Sequence, residues 1–352
     1  MSSALPYSAK GLLVFPHLRV QNANAISSQM THGFPSITAF TGLMWALERK
    51  LTEAGVPLRL LQVGVICHRH QEQVNAGYVK TFRLTRNPVD KSGGTAGIVE
   101  EGRTHLDLTL VFQVQQKVGA KSETPLLVQG NDNALAELAA KAWQTLATMR
   151  VAGGSMLPAR PAPGRFIRPW LAVLPDDASE CAKNFREWRR QWLPGYALVG
   201  RNDLVPARLE AMRKERPEAN ALDALLDLSR FNYRAEKEGG EAGTNQRVHW
   251  HDPDRGKGSG WIVPIPVGYT ALSDLYDPGQ VQNARDDDTS FRFVESIYSM
   301  GEWISPHRLD SIDALLWHAE TDLDRAVYRC RNTYVPVATA DPVEPDDFYV
   351  YD

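Results

Sequence analysis

Two runs near the start of the chain constrain its fold most: a strand-like run at residues 12–20 and a helix-like run at residues 34–54. The first run is mostly apolar, which predicts a strand buried in a sheet. In the second, apolar residues recur at spacings of three and four, which predicts an amphipathic helix packed on that sheet. Further strands are predicted at 58–70 and 104–114, and a second helix at 134–149. This order of elements predicts an α+β fold with a ferredoxin-like or RNA-recognition-motif-like (RRM-like) core.

The later half of the chain is less regular. Pro264 and Pro266 place one predicted strand at a sheet edge or in an extended loop, because proline cannot donate to a sheet. Polar, glycine-rich residues 236–257 predict a mobile insertion, and residues 336–352 an acidic tail. The other patterns predict helices at 179–191, 205–214, 219–228 and 307–318, and strands at 78–84, 196–199, 261–266 and 326–331.

Charge is spread unevenly along the 352 residues, whose net charge is −3. The last 17 residues hold five acidic residues and no basic one, so the rest of the chain has 39 basic and 37 acidic residues. Residues 150–201 hold nine basic and four acidic residues. This excess predicts a local basic surface on a nearly neutral body.

Three widely separated cysteines predict neither a disulfide framework nor a cysteine metal site, and they fit a reducing compartment. The N-terminus lacks the pattern of a signal peptide, and no apolar run approaches 18 residues. We therefore expect a cytoplasmic protein with no membrane partner.

The loop between the first strand and the first helix is rich in amide and hydroxyl side chains, and no acidic residue precedes Glu48. A helix N-terminus offers unpaired N–H groups and a partial positive charge, so this loop suits an anionic ligand. A neutral strand–turn–helix connection fits the spacing equally well. The candidate ligand-binding residues here are Arg19, Gln21, Asn22, Asn24, Ser27 and Ser28.

Two further segments suit a nucleic acid. Basic residues at 80–86 surround an aromatic and precede a glycine-rich turn, a pattern that suits a finger laid along a phosphate backbone, with Arg83, Arg86 and Asn87 as candidates. An ordinary solvated hairpin is the alternative. Gly153 and Gly154, followed by Ser155, could let the backbone approach a ligand closely or could simply end the preceding helix.

Residues 20–23 (VQNA) recur at 281–284, with Arg285 next. Asn and Gln both donate and accept hydrogen bonds, so Asn283 and its neighbours could read base edges or ribose hydroxyls. So short a repeat is also compatible with coincidence.

Several motif blocks resemble the Csy-two family, the Cas-five-type subunit of the type I-F CRISPR surveillance complex. The first is 21–28 (QNANAISS) with 33–35 (GFP), and one of the most specific is 301–308 (GEWISPHR). Gln29 and His32 depart from some relatives, which have proline and an aromatic there. The other blocks are 150–158, 193–199, 261–269, 281–286 and 291–295.

The resemblance implies one Cas-five-like RNA-binding domain over residues 1–335, with a projecting thumb at about 84–102 and a helical part at about 176–230. It implies a non-catalytic subunit that holds the 5′ handle of CRISPR RNA and caps the backbone of the complex. The implied partners are a large Cas-eight-type subunit, a Cas-seven-type backbone subunit and, through the assembled complex, target DNA. It adds Arg103, Arg292 and Arg308 to the RNA-binding candidates, together with Gly153, Gly154, Ser155, Asn283 and Arg285.

Two rival functions remain. A metal-independent endoribonuclease that trims repeat RNA would use His17, His32 or His68 as general acid or base. A purely structural adaptor would make only incidental RNA contacts. Pairs of histidines at 68 and 70 and at 249 and 251 lack completing ligands, and no hydrolase elbow, phosphate-binding loop or dinucleotide fingerprint occurs, so we expect no metal, no cofactor and no catalysis.

Overall fold

The structure is a computed structural model. It describes residues 9–86, 92–95, 98–117, 125–237, 248–252, 261–284 and 286–336, with only the backbone at 84–86, 98–100 and 236–237. The predicted positions Asn87 and Arg285, most of the predicted insertion at 236–257 and almost all of the predicted acidic tail lie outside the described residues.

The described residues form seventeen strands and six α-helices. The strands are β1 (Lys10–Asn24), β2 (Leu58–Glu72), β3 (Val74–Asn75), β4 (Thr81–Phe82), β5 (Leu84–Arg86), β6 (Ile98–Glu100), β7 (Arg103–Gln116), β8 (Arg150–Val151), β9 (Gly154–Leu157), β10 (Trp170–Val173), β11 (Tyr196–Gly200), β12 (Arg234–Lys237), β13 (Val248–His251), β14 (Trp261–Ala271), β15 (Val294–Ile304), β16 (Trp317–Asp322) and β17 (Val327–Asn332). The helices are α1 (Ile37–Glu53), α2 (Asp132–Ala147), α3 (Ala178–Trp188), α4 (Leu204–Arg213), α5 (Ala221–Leu228) and α6 (Ile312–Leu315).

One large, predominantly antiparallel sheet with helices packed on it organises the described residues, so the predicted α+β class is confirmed. In its first half β2, β7, β1 and β9 lie side by side, each antiparallel to the next. Helix α1 connects β1 to β2, and α2 follows β7. The predicted strands 12–20, 58–70 and 104–114 and the predicted helices 34–54 and 134–149 are confirmed as these elements.

Both faces of this sheet are buried, which explains the continuous apolar run in β1. Successive strand residues point to opposite faces. Leu13 and Phe15 therefore join the core under α1 and α2, whereas Leu12 and Val14 join a second core with Phe185 of α3. Helices thus cover the sheet on two sides, and the strand edges and loops are left to form surface sites.

The second half of the sheet closes on itself. Strand β11 pairs with β15 and also with β2, where Tyr196 lies opposite Cys67. The path β2, β16, β17, β14, β15 and β11 therefore returns to its starting strand. Trp317, which is 1% exposed, packs inside this ring, and its Nε1 donates to the Leu198 carbonyl at 2.8 Å.

The helix predicted at 307–318 is wrong. A short 3-10 turn covers Pro306–Arg308, α6 covers only Ile312–Leu315, and β16 begins at Trp317. Leu309 and Leu316 are extended, with ψ of 130° and 139°, and both are buried, so the apolar spacing comes from two turns that bury leucines rather than from one helix. The long strand β15 was not predicted.

The predicted strand with two prolines is longer than expected and lies inside the sheet path as β14. Its proline half nevertheless pairs only with β15, and pairing with β17 begins at Gly268. Prolines therefore occupy the part of the strand that has a single partner. At the position of the predicted thumb, β5 and β6 pair as a hairpin. Among the described residues, none of the helices has the length and apolar character needed to cross a bilayer.

Candidate nucleic-acid interface

Three register shifts distort the middle of the sheet at one place. Strand β1 slips against β7 between Phe15 and Leu18 and again between Val20 and Ala23, and β2 slips against β7 between Cys67 and Arg69. Each shift re-aims the extra residue, as β-bulges do beside functional sites. His17 and Asn22 adopt left-handed backbone angles, with φ of 51° and 56°, which is uncommon for residues other than glycine.

Three of the re-aimed side chains, those of His17, Gln21 and His68, line an open groove of about 770 Å³, which we call the arginine groove. Polar side chains such as Gln21, Gln71 and His105 alternate with the basic ones. Asp107 is the single carboxylate among its described lining residues. The groove is basic because four guanidinium groups face it: those of Arg19, Arg69, Arg160 and Arg165.

Asp107 is already neutralised by its neighbours. Its Oδ1 lies 2.9 Å from His17 Nδ1, and its Oδ2 lies 3.6 Å from Arg165 Nη1. Burial alone would raise the pKa of Asp107, but the hydrogen bond and the charges of these partners outweigh it and lower that pKa. Within the described part of the chain no carboxylate pairs with the other three groove arginines; Arg19 instead donates to the Pro158 carbonyl at 3.0 Å. The groove therefore keeps a net positive charge for an anionic ligand.

His68 forms part of the groove floor in its neutral form. A carbonyl can only accept, so His68 Nδ1 donates to the Pro194 oxygen at 2.7 Å, and Nε2 accepts from the Thr109 hydroxyl at 2.7 Å. Its ring lies 4.0 Å from that of His17, centroid to centroid. Burial lowers the pKa of His68 to about 4, although the Pro194 carbonyl opposes the shift.

This partly buried histidine predicts a loss of stability in mild acid. Below about pH 6.5 the unfolded chain binds a proton on His68 that the folded protein does not bind until pH falls to about 4. We expect this residue to lower the free energy of unfolding by about 2 kcal/mol between pH 7 and pH 5. In His68→Asn, whose amide can still donate to Pro194, urea unfolding should show that much less acid sensitivity; parallel pH profiles for the two proteins would contradict the assignment.

The two neighbouring glycines build a hairpin beside the groove. Ala152 and Gly153, with φ of 47° and 77°, form the two-residue turn between β8 and β9. Gly154 lies against the bulge of β1, where an added Cβ would come within 2.8 Å of the Ala23 nitrogen and the Gln21 oxygen. Gly154 therefore allows close packing of strands, and Gly153 supplies the turn.

We expect Gly154→Ala to lower the free energy of unfolding by about 1–3 kcal/mol, because the backbone of β1 must move to admit the methyl group. Gly153→Asn is the matched control, since Asn tolerates positive φ and nothing lies within 4 Å of the added Cβ. Chemical unfolding of both variants measures the difference, and equal losses would show that close packing is not the reason for Gly154.

The structure brings together one group of predicted residues. Pairing of β1 with β9 sets Gln21 opposite Ser155, and the backbone N–H of Asn24 donates to the Ala152 carbonyl at 2.9 Å. Asn22 lies in the bulge between them. Of these residues and their neighbours, Arg19 and Gln21 line the groove itself.

Other predicted residues serve local structure. The Asn24 side chain bonds the Ile26 backbone, and the Ser27 and Ser28 hydroxyls lie 2.8 and 2.6 Å from the Thr31 hydroxyl. Arg83 donates to the Gln73 side chain at 3.2 Å, and Arg103 pairs with Glu101 at 2.6 Å. At the helix N-terminus, the Ser36 hydroxyl accepts from the Thr38 amide at 3.2 Å.

The remaining predicted residues do not line the groove. Asn283, with φ of 59°, lies in the loop between β14 and β15, Arg292 lies near the end of that loop, and Arg308 lies in the 3-10 turn. Only the backbone of Arg86 is described. Four groove residues were not predicted individually from the sequence: Arg69, Arg160, Arg165 and His105. Arg160 and Arg165 lie within the segment 150–201, whose basic excess was noted.

Comparison with known proteins identifies relatives of the chain. Residues 13–330 match a family model described as "CRISPR-associated protein (Cas_Csy2)". The chain is 42% identical over 328 residues to the protein described as "CRISPR-associated protein Csy2" from Pseudomonas aeruginosa (strain UCBPP-PA14). That similarity covers 91% of this chain and 94% of the relative.

Proposed function

Because the chain belongs to the Csy2 family of subunits of the type I-F CRISPR complex, we propose that it binds CRISPR RNA without cleaving it. The RNA segment is the 5′ handle, which lies in the arginine groove. The observation that carries this proposal is a groove lined by four arginines, whose one described carboxylate is neutralised. The groove is open, which suits a flexible chain of several nucleotides better than a small molecule.

The groove offers the chemistry that single-stranded RNA requires. Guanidinium groups pair with phosphate through two parallel hydrogen bonds, and they release counterions from the RNA. Amide and imidazole groups such as Gln21, Gln71 and His105 can contact ribose hydroxyls and base edges. Arginines thus hold the backbone, while neighbouring polar groups read the unpaired bases.

We also propose that the first half of the sheet is a ferredoxin-like core. Two helices follow the first and third of its strands, and the order β2, β7, β1, β9 supports this assignment. The thumb at about 84–102 and the helical part at about 176–230 belong to the same proposed domain. In the complex the subunit pairs with a large Cas-eight-type partner and abuts a Cas-seven-type backbone subunit, while base pairing by the guide reads target DNA. We place this assembly in the cytoplasm.

The two rivals are less well supported. A ribonuclease needs a histidine that can exchange a proton with the RNA near neutral pH. The low pKa of His68 keeps its ring neutral there, and both ring nitrogens are engaged, one by the Pro194 carbonyl and one by the Thr109 hydroxyl. His17 Nδ1 is held by Asp107, and His32 Nδ1 lies 2.7 Å from Glu72 Oε1. A carboxylate on Nδ1 is also the arrangement that orients a catalytic base, so His17, which lines the groove, is the histidine that the cleavage test below replaces. A pure adaptor would have no use for three groove arginines that lack a carboxylate partner among the residues that the structure describes.

Incubation of the full-length protein with labelled repeat RNA in EDTA tests this function. We expect the RNA to bind and to remain intact. Cleavage at a defined position that disappears in His17→Ala would establish the ribonuclease instead. Absence of RNA binding at low salt would favour the adaptor.

A further inference from the structure

A second cavity, of about 430 Å³, opens on the other side of the β2 bulge. It shares His68 and Arg69 with the arginine groove, so the two cavities adjoin at these residues. Its volume lies within the range of about 300–1,000 Å³ that is usual for small-ligand pockets. We call it the aromatic pocket because its walls include Phe34, Tyr196, Trp261 and Trp303.

Two of the aromatic rings of this pocket are exposed, whereas Phe34 and Trp303 are partly buried and pack against the core. Trp261 is 67% exposed, and Tyr196 is 47% exposed. Trp261 lies opposite Trp303 in the pairing of β14 with β15, and the Trp303 and Phe34 rings meet edge to face at 4.8 Å between centroids. An exposed indole on the strand beside a partly buried aromatic pair is a platform on which a planar ring can stack.

The rim of the pocket is polar and carries no carboxylate among its described lining residues. The Ser27 and Thr31 hydroxyls lie there, bonded to each other, and each hydroxyl can also serve a ligand. Arg69 stands where the rim meets the groove, and it is exposed. The pocket therefore combines an apolar stacking surface, hydrogen-bonding groups at its edge and a cation at its entrance.

We propose that the aromatic pocket takes one unstacked base of the RNA strand whose phosphates lie in the arginine groove. The inference rests on the proposed function and deepens it. Arg69 holds the phosphate at the point where the strand passes from groove to pocket, and Trp261 stacks on the base. The occupant is a nucleobase rather than an apolar side chain of a protein partner, because the pocket continues a basic groove and has no carboxylate among its described lining residues.

An abasic scan tests this assignment in the full-length protein. A labelled RNA that carries the repeat-derived 5′ handle receives an abasic nucleotide at each handle position in turn, and fluorescence anisotropy gives the affinities. In the wild-type protein, an abasic nucleotide at one handle position should lower the RNA affinity about 10-fold, as expected for the loss of one stacked base. In Trp261→Ala the intact RNA should bind about 10-fold more weakly, and the abasic change at that position should cost nothing more.

Trp250→Ala is the matched control, because Trp250 is 62% exposed but lies on β13 and lines neither cavity. It should keep the wild-type abasic profile. A flat profile in the wild type, or an abasic penalty that persists in Trp261→Ala, would overturn the base pocket. So would a Trp261→Ala protein that binds RNA normally but loses its protein partner.

The Arg160→Ala variant separates the base pocket from RNA binding in the groove. If Arg160→Ala weakens RNA binding while the abasic profile is flat, the base pocket is wrong and the groove stands. If the wild type has no affinity for the RNA at all, both are wrong.

Discussion

If CRISPR RNA lies in the arginine groove as proposed, replacement of Arg69 and Arg160 by alanine should lower the affinity for it by about 100-fold, because each guanidinium removed costs a hydrogen bond to phosphate of about 1.5 kcal/mol. Both side chains are exposed in the arginine groove, and neither has a carboxylate partner among the described residues, so their loss should leave the fold intact. The salt dependence should change as well. Each phosphate contact on a single strand contributes about 0.7 to the slope of log affinity against log salt, so the slope should fall by about 1.4.

A double variant with the same change in charge is the control. Arg216 and Arg325 are 48% and 83% exposed in their side chains and lie outside the groove. Arg216→Ala combined with Arg325→Ala should change RNA affinity by less than about 3-fold. These two charges lie away from the proposed RNA site, so dissolved salt screens their attraction for the RNA phosphates. If both double variants lose affinity equally, binding follows overall charge and the groove is not the site.

Replacement of Trp317 by alanine should lower the free energy of unfolding by about 4 kcal/mol. The indole is almost fully buried within the closed ring of strands, and its Nε1 donates to the Leu198 carbonyl at 2.8 Å. The alanine variant leaves a cavity beside Gly200, whose ideal Cβ position lies 3.1 Å from the Trp317 ring. It also leaves the Leu198 carbonyl without this donor.

A graded series tests this explanation by urea unfolding. Trp317→Phe keeps most of the buried ring but loses the hydrogen bond, so we expect a loss of about 1–2 kcal/mol. Trp250→Ala, in which an exposed indole is removed, should change stability by less than about 0.5 kcal/mol. Equal stability of Trp317→Ala and the wild type would contradict closure of the ring around this residue.

The elements predicted from local pattern are those whose cores are built from nearby residues. Helix α1 was predictable because Ile37, Phe40 and Met44 recur at helical spacing and are all buried. Closure of the ring was not predictable, because it depends on Tyr196 meeting Cys67 across a long stretch of chain. The error at 307–318 shows the limit of periodicity, since two short turns can bury leucines at helical spacing.

The site residues also separate into those that local sequence predicts and those that only the folded chain brings together. Gln21 and Asn22 were selected for their chemistry, Ser155 came from the paired-glycine segment that resembles the family, and the pairing of β1 with β9 brings them together. Arg69 was missed because a regular strand gives no sign of the bulge at Cys67 that lets it face the groove. Arg160 and Arg165 appeared only as part of a basic segment, and their convergence on the groove is a property of the folded chain.

Mapping the sites where CRISPR RNA contacts the protein tests most directly whether the RNA lies in the arginine groove. RNA with 4-thiouridine in the 5′ handle can be crosslinked to the full-length protein, and mass spectrometry can locate the attached peptides. We expect crosslinks in residues 15–24, 66–72 and 157–166, which line or flank the arginine groove. Crosslinks confined to the helices α4 and α5, or to the loop 272–293, would contradict binding in this groove.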